Sequence, residues 1–267
     1  MSEAEWLSKS LIKPKKRLSQ NFLIDQNIAK KIIKLVQGQL ADQIIEIGPG
    51  LGILTELMLQ EQYRVRAIEI DEDLLGSLND RLGTYPQIEL INQDAMDYDY
   101  KNLEGPLWIL VSNLPYNIGT RLLVKLMIDV PVIHRYVVMV QKEVADRIIA
   151  NVGDKEYGAL SVASQLFTKP KKQFDVHSNS FIPRPKVTST VISLQREHII
   201  DEEERVRAFN LAKTAFQQRR KIIKKSLSSE QINFDKLSEI GVDQKSRAEE
   251  LSPEQYLLIA NMVSNEN

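Results

Sequence analysis

The chain has 267 residues, no cysteine, and 35 basic against 36 acidic residues. Hydrophobic residues make up 43% and charged residues 27%, which is typical of a globular protein and excludes extended disorder. Without cysteine the chain forms no disulfide, thiolate metal site or cysteine nucleophile, and no apolar run reaches the ~18 residues of a membrane-spanning helix.

Residues 1–40 are predicted to form a basic arm followed by a helix from about Asn27 to Val36. Strand and helix signals then alternate along the chain. Apolar strands are predicted at 43–47, 64–71, 88–92, 107–112 and 136–140. Helices are predicted to about Gln60 after the first strand, from about Asp73 to Leu82, and from Lys142 to Ala150. This alternation is typical of a parallel sheet covered by helices on both faces.

The remaining elements differ in kind from the alternating ones. Strand signals at 173–177 and 188–194 flank a proline-rich turn at 181–186, which predicts an antiparallel hairpin at the end of the sheet. Residues 201–227 are predicted to be helical, and Ser252-Pro-Glu-Gln255 carries the capping signals of a further helix. We therefore predict an α/β domain at 41–198 and a small all-helical domain at 199–267.

Three strand ends carry a pattern typical of a nucleoside site. The first strand leads into the glycine-rich turn 48–52, the second ends in Glu69-Ile-Asp71, and the third leads to Asp94. Such ends meet at one edge of a parallel sheet, where a carboxylate can bind both hydroxyls of a ribose. Ile53 replaces the third glycine of the dinucleotide fingerprint, and Pro49 removes an N–H donor. The pattern favours S-adenosylmethionine over a dinucleotide, with a turn that binds nothing as the alternative.

The fourth strand ends in Asn113-Leu114-Pro115-Tyr116-Asn117. An adenine amine attacks a methyl group when its nitrogen becomes more tetrahedral, and two oxygen acceptors on its N–H bonds favour that geometry. The side-chain carbonyl of Asn113 and the backbone carbonyl of Leu114 can supply them, because Pro115 restricts the residue before it. Tyr116 offers an aromatic face to an unstacked base, and Phe181 a second. The alternatives are a strand-ending turn and, for Phe181, a core position.

Six segments, read together and in this order, resemble the ribosomal RNA adenine dimethyltransferases. They are Leu18-Ser-Gln-Asn-Phe-Leu23, Glu46-Ile-Gly-Pro-Gly-Leu-Gly52, Glu69-Ile-Asp71, Gln93-Asp-Ala-Met96, Asn113-Leu-Pro-Tyr-Asn117 and Phe181-Ile-Pro-Arg-Pro-Lys-Val187. At three motif positions the chain has Pro49, Leu51 and Leu114. These residues resemble those of the small-subunit branch of the family rather than those of the large-subunit resistance methylases. The resemblance implies a Rossmann-like S-adenosylmethionine-dependent methyltransferase fold with a mostly parallel seven-stranded sheet.

The implied activity is N6,N6-dimethylation of two adjacent adenosines in a hairpin near the 3′ end of 16S rRNA, within the immature small subunit. The implied cofactor residues are Gln20, Asn21, Leu23, Gly48, Gly50, Glu69, Asp94 and Asn113. The implied catalytic residues are Asn113, Leu114, Pro115, Tyr116 and Phe181. Ala159 and Ser19 depart from the arginine and the glycine that are usual in this branch.

The near-neutral net charge hides a segregation of charges along the chain. Residues 41–105 hold 4 basic and 14 acidic residues, whereas residues 166–225 hold 14 basic and 6 acidic ones. Clusters of basic residues can follow a phosphate backbone, with solvated surface as the alternative. The predicted RNA-binding residues are Lys15, Lys16, Arg17, Lys171, Lys172, Arg219, Arg220 and Lys221.

Two other functions stay open at the level of sequence. One is a resistance methylase acting on 23S rRNA, and the other is an assembly factor that binds pre-ribosomal RNA and methylates it only incidentally. The three histidines form no cluster along the sequence, so no metal is expected. The chain begins without a secretory signal, and we expect a cytoplasmic protein with no membrane association and no obligate protein partner.

Overall fold

The computed structural model describes residues 12–36, 43–105, 107–196, 201–230 and 232–264. The chain divides into two compact units, the first formed by Met1–Ala145 and Lys171–Gln195 and the second by Asp146–Pro170 and Arg196–Asn267, each for its described residues. Residues 146–170 thus belong to the second unit, whereas the sequence placed them in the α/β domain. The predicted boundaries after residues 40 and 198 lie outside the described residues, as does the arm before residue 12.

Nine strands occur in the described part of the chain. They are β1 (Phe22–Leu23), β2 (Gln43–Ile47), β3 (Arg64–Glu69), β4 (Ile88–Asn92), β5 (Trp108–Asn113), β6 (Ile133–Gln141), β7 (Thr168–Val176), β8 (Phe181–Ile182) and β9 (Ser189–Arg196). Seven of them form one sheet in the order β4-β3-β2-β5-β6-β9-β7. Strands β2 to β6 pair in parallel, and β6 pairs antiparallel with β9. The predicted, mostly parallel seven-stranded sheet is confirmed.

The first unit also contains helices that cover the sheet. They are α1 (Gln26–Lys34), α2 (Ile53–Gln60), α3 (Glu72–Leu82), α4 (Gly119–Asp129) and the beginning of α5 (Lys142–Ile149). Apolar residues of α1 at positions 29, 32 and 33 are buried, and Asp25 caps the helix by accepting the N–H groups of Asn27 and Ile28. The central strands are mostly apolar, as expected for strands covered on both faces, and Ile44 and Ile109 are fully buried.

Two features of the first unit were not predicted. Helix α4 follows the Asn113 turn, and its buried residues Leu122, Leu123, Leu126 and Met127 have helical spacing. Strands β1 and β8 form a separate two-stranded antiparallel sheet, in which Phe22 pairs with Ile182 and Leu23 with Phe181. The segment read as a proline-rich turn therefore begins as a strand.

The second unit is helical, with α6 (Ala159–Phe167), α7 (Glu202–Gln217), α8 (Ile223–Ser226) and α9 (Pro253–Ser264). The helix predicted over 201–227 is divided into α7 and α8. Ser252 and Gln255 form the predicted capping box, each side chain bonding the other residue's backbone N–H at 3.2 and 2.9 Å. The Tyr157 hydroxyl donates to the Leu251 carbonyl at 2.9 Å, which ties residues 146–170 to the C-terminal helices. In the described ranges, no helix has the length and apolar character needed to cross a membrane.

Candidate active site

A cleft lies in the first unit at the carboxyl ends of the parallel strands, where open α/β sheets bind their ligands. Its empty volume is about 1040 Å³, counting space that is open to solvent. It is lined by the segment 18–23, the turn 48–51, the end of β3, residues 93–95 and the turn 113–118. All the predicted cofactor and catalytic residues line this cleft except Phe181.

The glycine-rich turn has a backbone that other residues adopt only with strain. Gly48, Gly50 and Gly52 have φ values of 63°, 59° and 84°. A Cβ atom on Gly50 would lie 3.0 Å from Cδ1 of Phe22, and one on Gly52 would lie 2.7 Å from a methyl carbon of Leu78. Gly48 and Gly50 therefore present backbone without a side chain to the cleft, and there is no room for a side chain at Gly50 or Gly52.

Glu69 places a carboxylate beside this turn. The side chain is almost completely buried, and one oxygen accepts the Asp71 N–H at 3.0 Å while the other lies 3.4 Å from the Gly50 nitrogen. Burial raises the pKa of Glu69 to about 7, even though these backbone N–H groups act in the opposite direction. A ribose hydroxyl donating to this carboxylate would stabilise its charged form.

A second carboxyl group, that of Glu46, lies deeper in the cleft wall. It is 2% exposed and accepts the Thr55 hydroxyl at 2.6 Å. Burial raises the pKa of Glu46 to about 8, and the neighbouring Glu69 acts in the same direction. Asp94 lines the cleft further out, where one of its oxygens accepts the Met96 N–H at 2.8 Å.

Asn113 is oriented by one half of its amide. Its Nδ2 donates to the Asn21 backbone carbonyl at 3.1 Å. Its Oδ1 is buried and has no hydrogen-bond partner among the described residues. Buried carbonyl oxygens are normally paired, so an oxygen of this kind in a ligand cleft is an acceptor prepared for an incoming donor.

The turn after Asn113 is held in place on both sides. The Leu114 N–H donates to the Met139 carbonyl at 3.1 Å, and the Pro115 carbonyl accepts the Gly119 N–H at 2.8 Å. The Tyr116 hydroxyl lies 2.5 Å from the Ser189 hydroxyl, and burial raises the pKa of Tyr116, which keeps the phenol neutral. The turn is therefore a rigid support for the Asn113 oxygen.

Phe181 is not brought into the cleft. It is 1% exposed and packs in the hydrophobic core, where Leu23 and Val176 are also buried. Its strand pairing with Leu23 directs the ring into the core, so no ring face is open to a base. The prediction that Phe181 offers a ring to the base is wrong, and the alternative of a core position is observed.

Residues 15–23 contain the contacts that the sequence did not predict. Lys15 Nζ lies 2.5 Å from Asp71 Oδ1 and 2.7 Å from Asp73 Oδ2, and Gln20 donates to the other Asp71 oxygen at 2.8 Å. The acidic Asp71, two residues after Glu69, was the available signal for this site. Ser19 has φ 52°, in the left-handed region that favours glycine, the residue that the resemblance implies at this position.

The predicted RNA-binding residues lie in both units. Lys16, Arg17, Lys171 and Lys172 are exposed on the first unit, and Arg219, Arg220 and Lys221 are exposed on the second. Three of the eight are engaged by carboxylates, namely Lys15 as described, Lys172 with Asp175 and Arg219 with Glu249. The other exposed basic residues are the better candidates for phosphate contacts.

Comparisons with known proteins agree with this geometry. Residues 12–265 match the model of the family described as ribosomal RNA adenine dimethylase. The chain is 38% identical over 276 residues to a protein of Alkaliphilus oremlandii named ribosomal RNA small subunit methyltransferase A, with 97% of this chain and 95% of that protein covered. It is 36% identical to a protein of the same name from Bacillus thuringiensis, with 93% and 91% covered.

Two solved structures share the fold. A crystal structure of a dimethyladenosine transferase from Plasmodium falciparum has a TM-score of 0.74 and 26% identity, covering 92% of this chain and 98% of that one. A crystal structure of the 23S rRNA methyltransferase ErmE has a TM-score of 0.71 and 24% identity, covering 91% and 100%, and shows likeness in fold alone. The Rossmann-like methyltransferase fold implied by the sequence is confirmed.

Proposed function

Because the chain belongs to the ribosomal RNA adenine dimethylase family, we propose that it transfers methyl groups from S-adenosylmethionine to N6 of adenosines in ribosomal RNA. The proposed target is a pair of adjacent adenosines in a hairpin near the 3′ end of 16S rRNA, in the immature small subunit. Support for this subunit comes from relatives named for the small subunit, of which the chain covers 91–95%.

The observation that carries the proposal is the buried oxygen of Asn113, which has no partner in the described part of the chain and lies in the same cleft as Glu69 and the glycine-rich turn. When bound, S-adenosylmethionine supplies a methyl group on a positively charged sulfur. Asn113 Oδ1 accepts an N–H of the adenine amine, which favours the tetrahedral nitrogen needed for attack. It takes no proton itself, since the amine loses its proton readily once it carries the new methyl. Holding the two reacting atoms together contributes up to ~7–11 kcal/mol in favourable cases.

The cleft residues fit the proposed cofactor. Glu69 is a buried acceptor suited to two ribose hydroxyls, and the bare backbone of Gly48 and Gly50 allows close approach. Carboxylates at Glu69 and Asp94 favour a ligand that carries donors and positive charge over one that carries phosphates. Pro49 leaves the turn with one N–H fewer for a pyrophosphate.

The RNA substrate is supported by the exposed basic residues outside the cleft. Lys16, Arg17 and Lys171 are exposed and suited to backbone phosphates. Tyr116, at the mouth of the Asn113 turn, lines the cleft and offers a ring to an unstacked base. Such a substrate places the protein where ribosomal subunits assemble, which we propose is the cytoplasm.

The test is methylation of defined particles. The purified protein is incubated with isotope-labelled S-adenosylmethionine and either immature small subunits or large subunits, and the modified nucleotides are mapped by mass spectrometry. Dimethyladenosine at two adjacent positions near the 3′ end of 16S rRNA is the expected result. Label in the large subunit alone would overturn the 16S target, and no label in either particle would overturn methyl transfer.

A further inference from the structure

The segment Lys15–Leu23 lies along the cleft, and two of its side chains bind the single buried carboxylate of Asp71. Asp71 follows β3 and its side chain is 2% exposed. Its Oδ1 lies 2.5 Å from Lys15 Nζ, and its Oδ2 accepts the Gln20 amide at 2.8 Å. Both oxygens are thus used by the segment, and Oδ1 also accepts the Asp73 N–H at 3.2 Å as the N-cap of α3.

The side chain of Gln20, which reaches Asp71, is also bonded to the backbone of Lys15. The Lys15 backbone N–H donates to Gln20 Oε1 at 2.6 Å, which closes a ring of contacts through Lys15, Gln20 and Asp71. Burial acts to raise the pKa of Asp71, but the bonds from Lys15 and Gln20 prevail and hold it below its usual value. The carboxylate is therefore charged and paired rather than buried alone. We call this ring the Asp71 clasp.

The segment is fixed on its other side as well. The Asn21 carbonyl accepts the Asn113 amide at 3.1 Å, and Phe22 packs on Gly50 and pairs with Ile182. Residues 18–23 line the cleft between these two fastenings. The same segment thus connects the ribose side of the cleft, at Asp71, with the reacting side, at Asn113.

We propose that Asp71 is a positioning residue for the methyl transfer, which through Gln20 and Lys15 holds the segment Lys15–Leu23 across the cofactor cleft. This inference rests on the proposed function, because the ligand that the segment encloses is the S-adenosylmethionine of that proposal. Gln20 then lines the cleft without bonding the ligand through its amide, because the amide nitrogen is bonded to Asp71 and the amide oxygen to the Lys15 N–H. Lys15 holds the segment through Asp71 instead of contacting RNA.

Asp71→Asn is the variant that separates the clasp from the helix cap. Asparagine caps helices as well as aspartate does, so α3 keeps its N-cap. The variant loses the charge that pairs with Lys15, and charge-assisted hydrogen bonds of this kind correspond to about 10- to 100-fold in an equilibrium constant. Asp80→Asn is the matched control, since Asp80 is an exposed residue of the same helix.

Four quantities are measured for each variant. They are the Kd for S-adenosylhomocysteine by calorimetry, the KM for S-adenosylmethionine and the kcat in methylation of small subunits, and the rate of tryptic cleavage after residues 15–17 without ligand. For Asp71→Asn we expect Kd and KM to rise about 10- to 100-fold, kcat at saturating cofactor to stay within about threefold, and cleavage to accelerate. Asp80→Asn should match the wild type. This split between KM and kcat is not expected of a residue that merely stabilises the fold.

Lys15→Met provides a second variant in case Asp71→Asn fails to fold, and it should give the same rise in KM and in the rate of cleavage after Lys16 and Arg17, the two tryptic sites that it keeps. Unchanged KM and cleavage in the folded variants would overturn the clasp, as would a loss of kcat with KM unchanged. If the wild-type protein itself binds no S-adenosylhomocysteine, the proposed function fails. If the wild type binds it and Asp71→Asn binds it equally well, only the clasp fails.

Discussion

Replacing Asn113 by alanine should slow methyl transfer by about 10²–10³, which corresponds to about 2.7–4 kcal/mol of transition-state stabilisation. The upper part of this range is expected because Asn113 Oδ1 is buried and, among the described residues, has no other partner, so little solvent reaches the site to replace it in the variant. The variant also loses the bond from Nδ2 to the Asn21 carbonyl, which should lower the free energy of unfolding by about 1 kcal/mol.

The assay is single-turnover methylation of small subunits at saturating S-adenosylmethionine, with thermal unfolding followed separately. Single-turnover rates report the transfer step and are not limited by product release. Asn27→Ala is the control, because Asn27 is an exposed asparagine of α1 outside the cleft, and it should leave the rate unchanged. A single-turnover rate for Asn113→Ala within a factor of about five of the wild type would refute the role given to this oxygen.

Three further predictions concern other parts of the first unit. Gly50→Ala should weaken S-adenosylhomocysteine binding at least about tenfold in calorimetry, because its Cβ would lie 3.0 Å from Phe22 at φ 59°, whereas Gly76→Ala, with open space around it, should bind normally. In the wild type the free energy of unfolding should fall as the pH rises, and Glu46→Gln should remove the part of this fall that is due to Glu46. The pKa of Glu46 is raised to about 8, so the folded state binds an extra proton between about pH 4.5 and 8 and the wild type loses up to about 1.4 kcal/mol per pH unit there. Thermal unfolding at pH 5 and pH 8 measures this, and equal slopes in both proteins would contradict it. Lys16→Glu should weaken RNA binding and lower the slope of log K against log salt by about 0.7 in filter-binding assays, and an unchanged slope would remove Lys16 from the RNA contacts.

The sequence predicted the cleft because its chemistry lies at strand ends. Glu69 and Asn113 end strands of a parallel sheet and Asp94 follows one, and the carboxyl ends of such strands meet at one edge whatever the conformation of the loops. The glycine turn was predictable for a similar reason, since its residues are required by backbone conformation. Helix α4 was not predicted even though its buried leucines have helical spacing, because Ile118 at its N-cap position makes no side-chain cap and the sequence therefore lacks the usual start signal.

Contacts between segments far apart in the chain could not be predicted in the same way. Lys15 belongs to a basic cluster that reads as an RNA contact, and only the tertiary position of Asp71 shows that its charge is already paired. The burial of Phe181 depends likewise on the pairing of β8 with β1. The roles of such side chains depend on how distant segments pack in the whole unit. A local sequence pattern does not contain this information.

The pairing of β1 with β8 sets a limit on when the site can be completed during synthesis. Phe22 finds its partner Ile182 only after most of the first unit has left the ribosome, and closing so long a loop is slow compared with forming the helices and neighbouring strands. The nascent chain can thus assemble the central sheet with its cleft uncovered. The strand pairing that helps fix residues 15–23 across the cleft forms only once Ile182 has been made, so a chain that ends before it would have the parallel strands without a competent site.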